Sequence, residues 1–240
     1  PCIMKLILTV FFTLITLTGW GSQPNLDDPK TLKNIIKEAR PSEETYSGNV
    51  LSKNFAKLPY SGWVKNTYFN GRICQLYYLN LKSNREGLEV SWYENGGKWR
   101  ETRYKDGKKH GLEIAWDDRG QVDTECHYED GEKHGLYIKW HSSGNKEEEG
   151  HYQYGKKHGL WTRWSENGQK IQETHYQNDR QHGRETDWKN GEKWREAYYE
   201  NGKQHGLSNY WENGEKWLET RYEGGVKQGL EIVWGDAGKK

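Results

Sequence analysis

The chain has 240 residues, of which only 32% are apolar, and its four Phe and single Met are too few for a thick conventional core. Thirteen Trp and 16 Tyr supply the bulky surface, and that aromatic content excludes disorder from Tyr46 onward. The formal net charge of +1 comes from 36 basic and 35 acidic side chains mixed along the sequence, which excludes a broad basic face for nucleic acid or anionic lipid.

In chain order, Met4 and Lys5 lead into "LILTVFFTLITLT" and then "GWGSQPN". This pattern predicts a secretory signal over 4–21, with cleavage after Gly21 and export to the periplasm, envelope or medium. The apolar run is shorter than the ~20 residues of a membrane span, and Cys2 lies upstream of it, where it cannot serve as a lipid-modified cysteine. Residues 22–45 read as a polar linker. Within it "PKTLKNIIKEAR" places Leu32, Ile35 and Ile36 on one side of a short helix behind Asp28 and Pro29.

From 46 to 240 the chain is an array. A glycine recurs at 62, 87, 111, 135, 159, 183, 206 and 229, with spacings of 25, 24, 24, 24, 24, 23 and 23. Self-similarity of this kind marks a repeat architecture. Five residues after seven of those glycines stands a tryptophan: Trp92, Trp116, Trp140, Trp164, Trp188, Trp211 and Trp234. A second glycine follows, commonly as Asn-Gly, the strongest short hairpin signal. Eight residues later comes a tyrosine (Tyr104, Tyr128, Tyr152, Tyr176, Tyr199, Tyr222), preceded at two residues by a small side chain (Thr102, Cys126, Gly150, Thr174, Ala197, Thr220). Each repeat therefore reads as strand, tight turn, strand, then a loop "YxDGxKHG". The fold class is all-β, and the tryptophan and tyrosine rows are its expected structural core.

The step from 24 to 23 residues falls in the turn. A two-residue Asn-Gly loop in "WKNGEKW" pairs Trp188 with Lys193, and a three-residue loop ending on Gly96 in "WYENGGKW" pairs Trp92 with Lys98. Strict alternation from those pairs puts Leu112, Ile114, Trp116 and Tyr128 on one buried face. The opposite face then carries Glu101, Glu125, Glu149, Glu173, Glu196 and Glu219 together with Trp99, Trp194 and Trp217. Alternation also sets Glu89 against Glu101, a like-charge pairing that costs stability.

The motif Tyr-x-x-Gly-x-x-His-Gly-Leu followed by Trp and Asn-Gly, as in "YEDGEKHGLYIKW" (128–140), resembles the MORN repeat in the variant form of bacterial YwqK-family antitoxins. The resemblance covers about 46–240. It implies an elongated, twisted, single-layer antiparallel meander that binds partners or lipids and does no chemistry, with toxin neutralisation as the family's role.

The residues themselves hold no catalytic constellation: Gly-x-Ser-x-Gly, a phosphate loop and Cys-x-x-Cys are all missing. His110, His134, His158, His182 and His205 share one repeat position, but neighbours about 9.6 Å apart cannot ligate one zinc at about 2.0–2.1 Å per bond. No cofactor or metal is expected. Cys74 and Cys126 lie about two repeats, roughly 19 Å, apart, so no disulfide joins them. Trp99, Trp194 and Trp217 are the candidate partner-binding residues, because the same position holds Asp123, Glu147 and Ile171 in other repeats and the sheet does not require an indole there. The expected partner is a protein; the alternative is an envelope glycan or lipid headgroup bound by the exposed aromatics.

The signal reading has a direct check. Mature protein recovered from its native host is expected to begin near Ser22 and to lie outside the cytoplasm. Soluble cytoplasmic protein starting at Met4 would show that the apolar run is not a signal.

Overall fold

The computed structural model describes residues 24–26, 28–41 and 61–234. The segment 4–21 and the expected start of the array at Tyr46 lie outside the described residues. Helix α1 (Pro29–Glu38) forms where the sequence places it. Asp28 caps it by accepting hydrogen bonds from the Thr31 amide at 2.8 Å and the Thr31 hydroxyl at 2.5 Å, and Pro29 occupies the first turn, where its missing N–H costs nothing. Those hydrogen bonds, the hydroxyl's foremost, hold the Asp28 carboxyl below its usual range. The helix ends as Ala39 N–H returns to Ile35 O and Lys65 Nζ reaches Ile36 O at 2.8 Å.

One open sheet follows. A two-residue strand β1 (Arg40–Pro41) runs parallel to β2 (Gly62–Thr67), and from β2 the sheet is an antiparallel meander of strictly consecutive strands. These are β3 (Ile73–Leu79), β4 (Arg85–Trp92), β5 (Lys98–Lys105), β6 (Lys108–Trp116), β7 (Val122–Glu129) and β8 (Glu132–Trp140). The second half comprises β9 (Lys146–Gln153), β10 (Lys156–Trp164), β11 (Lys170–Gln177) and β12 (Arg180–Lys189), then β13 (Glu192–Glu200), β14 (Lys203–Glu212), β15 (Glu215–Glu223) and β16 (Val226–Val233). Among the described residues no helix is long and apolar enough to cross a membrane.

The turns follow their chemistry. In the longer repeats Tyr93 N–H bonds Gly97 O and Gly96 N–H bonds Tyr93 O; in the shorter ones Asn190 (φ 55°) and Gly191 (φ 83°) form a two-residue turn of primed type. Trp92 pairs with Lys98 and Trp188 with Lys193, as the turn lengths require. The segment "YxDGxKHG" is a second tight hairpin rather than a loop: Lys105 pairs with Lys108 across Asp106 (φ 48°) and Gly107 (φ 82°). Asp and Gly tolerate the left-handed conformation that this turn demands.

Two bulges per repeat overturn the expected faces. Trp92 pairs with Lys98, but its neighbour Ser91 pairs with Arg100, so Trp99 is an extra residue without a cross-strand partner. Alternation restarts one residue later, and Glu89 faces Thr102 while Glu101 faces Val90. The second bulge sets His110, Gly111 and Leu112 against Arg103 alone, since Thr102 pairs with Glu113 and Tyr104 with Lys109. Gly111 adopts φ 88° there, which accounts for the recurrent glycine.

The expected single stripe therefore divides. One side of the sheet, the leucine face, carries Leu88, Val90 and Trp92 with the glutamate row, Ile114 facing Glu125 and Ile138 facing Glu149. The other, the tyrosine face, carries Tyr104, Tyr128 and their equivalents with the small residues. Tyr128 thus lies on the opposite side from Leu112, Ile114 and Trp116, and the glutamates share the side of the leucines.

Packing on a single layer comes mostly from neighbours in adjacent strands. Beside α1 there is a conventional core: Leu26, Ala39, Leu76, Val90 and Trp92 are buried, with Leu32, Ile35 and Ile36 of the helix packed on them, and Val64, Tyr77 and Leu79 form a second buried cluster. Elsewhere the leucine face lays lysines over tryptophan rings of the next repeat, at 5.9 Å for Lys98 on Trp116, 5.1 Å for Lys170 on Trp188 and 3.9 Å for Lys193 on Trp211. Each of these lysines also pairs with the glutamate three residues on: Glu101, Glu173 and Glu196. The glutamate row is the anchor of that ladder. On the tyrosine face Lys109 lies 4.7 Å over Tyr128 and pairs with Glu113 at 2.5 Å, and Lys133 lies 4.8 Å over Tyr152.

The small row is the floor of the tyrosine face. Thr102, Cys126, Thr174, Ala197 and Thr220 are all buried under a neighbouring strand's side chain. Size is compensated pair by pair: Thr102 donates to Glu113 and Thr174 to Glu185, whereas Gly150 lies beneath the buried Trp161, where a Cβ would stand 2.2 Å from the indole. Gly150→Thr is therefore expected to cost about 1–3 kcal/mol by overpacking. Adding Trp161→Glu, which recreates the Thr–Glu pair of other repeats, should recover much of that loss in chemical denaturation. A Gly150→Thr single variant as stable as the parent would show that the indole does not occupy that space.

Candidate partner-binding face

The bulge on the second strand of each hairpin determines where the candidate tryptophans point. Cys74, Trp99, Asp123, Glu147, Ile171, Trp194 and Trp217 all hold the extra position, which has no partner across the strand. A bulge re-aims the side chain that it carries. Trp194 and Trp217 flank Tyr210, with ring centroids 6.2 and 6.1 Å away and interplanar angles of 49° and 52°. Tyr210 pairs with Arg195 and Leu218 and belongs to the tyrosine face. The expectation that these indoles share a face with the glutamates is thus corrected, because the bulge takes them out of the alternation. Trp194 and Trp217 are each 40% exposed, so the three rings make an open Trp–Tyr–Trp row across β13 to β15.

Trp99 is elsewhere, on β5, and differs in kind. Its ring is half-buried, 6.3 Å from Tyr93 and covered by the Arg100 guanidinium at 3.9 Å. The structure brings two of the three candidates together and leaves the third apart. It adds Tyr210, which alternation from the sequence did not single out. The available signal was the break in its own column: the residue before the row tryptophan is Ser91, Ala115, Lys139, Arg163 and Asp187 elsewhere.

The repeat tryptophans vary in cover. Trp92 is buried, Trp116, Trp140, Trp164, Trp188 and Trp211 are half-buried, and Trp234 is 42% exposed. Tyr104, Tyr128, Tyr152, Tyr176, Tyr199 and Tyr222 are half-buried. Burial, with Glu148 next, pushes the Tyr152 phenol up to about 12; burial, with Glu113 next, raises that of Tyr128 too, so both stay protonated at neutral pH.

A buried polar network supports the aromatic row from beneath. Arg195, the cross-strand neighbour of Tyr210, donates through Nη1 to Glu185 Oε1 at 2.7 Å and Asp187 Oδ2 at 2.8 Å, and through Nη2 to the Tyr199 hydroxyl at 2.8 Å. Gln181 and Thr174 donate to Glu185 Oε2, and Gln172 donates to Asp187 Oδ1. Burial opposes the guanidinium charge, yet the bonds to Tyr199, Glu185 and Asp187 outweigh it and hold Arg195 above its ordinary value. Carboxylates satisfied in this way fix the register of β11 to β14.

The remaining titratable rows stay dispersed. His110, His134, His158, His182 and His205 each precede a bulge glycine, and His134 Nδ1 stands 3.6 Å from Glu129. Among the described residues no three His, Cys, Asp or Glu side chains gather to hold a metal. Cys74 and Cys126 are free thiols on β3 and β7, both pushed up chiefly by burial.

No curated protein matches the chain. The model of the MORN repeat variant matches residues 85–106, 133–154 and 157–178, which spans β4 with β5, the β8–β9 hairpin and the β10–β11 hairpin.

Proposed function

We propose that this chain is an exported, non-catalytic repeat scaffold that binds a protein partner through the Trp194–Tyr210–Trp217 row on its tyrosine face. The observation that carries the reading is that two indoles, 40% exposed, stand at a bulge position where other repeats place Asp, Glu or Ile, and flank a tyrosine that is itself a departure from the repeat. Large, rigid aromatic side chains left open on a firm sheet are typical recognition anchors. An antitoxin-like role, in which the partner is a toxic protein, is the more specific form of this reading, and the resemblance noted from the sequence supports it. Rings about 6 Å apart also suit stacking on a sugar, so envelope glycan is the competing ligand.

The test is a paired measurement on the Trp194→Ser/Trp217→Ser variant. Loss of two ring pairs should cost about 1–3 kcal/mol in unfolding, while affinity for the protein partner captured from envelope fractions should fall by about 2 kcal/mol or more. Unchanged capture would remove the row from the binding site. Co-sedimentation of the parent with purified envelope glycan, lost in the variant, would transfer the site to the glycan reading.

A further inference from the structure

A second surface lies on the opposite side of the sheet and is independent of the aromatic row. We propose that the leucine face across β6 to β9 docks an amphipathic α-helix of a partner protein, carrying apolar side chains at i, i+3 and i+4 and a lysine or arginine that meets Glu125.

The chain itself shows how this face is covered. Helix α1 lies on it through Leu32, Ile35 and Ile36. Beneath the helix, the two positions that hold the lysine and glutamate of the ladder are apolar. Ile73 pairs with Thr67 as Lys98 pairs with Trp92, and Leu76 faces Val90 as Glu101 does from the other side. A repeat covered by a helix thus replaces the charged pair with Ile and Leu, and an uncovered one keeps it.

One other repeat departs in the same direction. Val122 pairs with Trp116 where Lys98, Lys146, Lys170, Lys193 and Lys216 stand in the others. Two consequences follow on the next strands. Trp140 loses the lysine that covers Trp116, Trp164, Trp188, Trp211 and Trp234. Among the described residues Glu125 has no ion pair, whereas Glu101, Glu149, Glu173, Glu196 and Glu219 are each paired with the lysine three residues before. The result is a shallow patch of half-buried Ile114, Val122, Leu136 and Trp140, floored by the buried Ile138, around the Glu125 carboxylate.

The backbone decides the form of the occupant. The strands β6 to β9 each pair with a neighbouring strand on both sides, so the face offers no open strand edge to an extended peptide. A segment that lies flat on it must satisfy its own backbone, which a helix does. The bare Glu125 carboxylate supplies the charge preference, favouring a cation at the edge of the apolar stripe and disfavouring anionic lipid or nucleic acid.

The probe is a fluorescent, stapled peptide of the α1 sequence (residues 28–39), titrated into the full chain by anisotropy. Its Leu32, Ile35 and Ile36 provide the apolar stripe and Lys33 and Lys37 the cations. Val122→Lys restores the lysine of the other repeats and should leave thermal unfolding equal to or above the parent while weakening the peptide about tenfold or more. Glu125→Lys should weaken it comparably, and the Trp194→Ser/Trp217→Ser chain, altered on the other face, should bind like the parent. Absence of saturable binding, or undiminished binding by Val122→Lys, would overturn the proposal. So would concentration-dependent dimerisation that Val122→Lys abolishes, which would assign the patch to the helix of a second copy.

Discussion

A single-layer sheet has no second layer to cover its rings, and here that work falls to lysine side chains laid across the aromatic ring of the neighbouring repeat. Lys193 over Trp211 on one face and Lys157 over Trp161 and Tyr176 on the other are instances of one device. The aliphatic stem shields apolar surface, the ammonium meets the ring's negative face, and a glutamate on the same side holds the charge in place. Each contact is worth only about 0.5–1 kcal/mol when exposed. They matter because they recur and because many of them, such as Lys193 over Trp211 and Lys157 over Tyr176, cross to another strand, so the array couples along its length as a sum of neighbour interfaces.

Much of this was legible in the sequence. Glycine spacing, Asn-Gly turns and the 24-to-23 change fixed the hairpin lengths, and both expected end pairs, Trp92 with Lys98 and Trp188 with Lys193, occur. The faces were not legible, for a definite reason. A bulge adds one residue to a strand, and since every repeat contains it the period is unchanged, so spacing alone cannot detect it. The electrostatics could have. Alternation placed Glu89 against Glu101, and that repeated like-charge cost was the sign that the register shifts inside the strand; with the bulge, Glu89 faces Thr102 and forms an ion pair with Arg85 at 2.7 Å. Tyr210 was missed because it sits in a column whose members, from Ser91 to Asp187, share no chemistry.

Buried polar groups give the open sheet its register. Slippage by one residue would move Glu185 and Asp187 away from Arg195 and leave two carboxylates, 4% and 8% exposed, without a partner. Breaking such a pair costs about 3–5 kcal/mol, far more than any one ring contact. At the other end Glu89 shows the penalty directly: burial pushes its carboxyl above the usual range even though Arg85 and Gln75 both favour the charged form. The polar tyrosine face thus specifies alignment, and the ring ladders on both faces supply cohesion.

The two kinds of position differ in how freely they can change. A residue at the hairpin bulge has no cross-strand partner, so Cys74, Asp123, Ile171 and Trp217 can all stand there without disturbing the ladder beside them. The ladder lysine has two obligations, to a ring and to its glutamate, and under α1 both positions of the pair are instead apolar, as Ile73 and Leu76. Variation at the bulge therefore leaves the strand pairing intact and is available to recognition. Variation in the ladder signals a change in what covers the sheet, and Val122 is such a change where the chain's own helix does not reach.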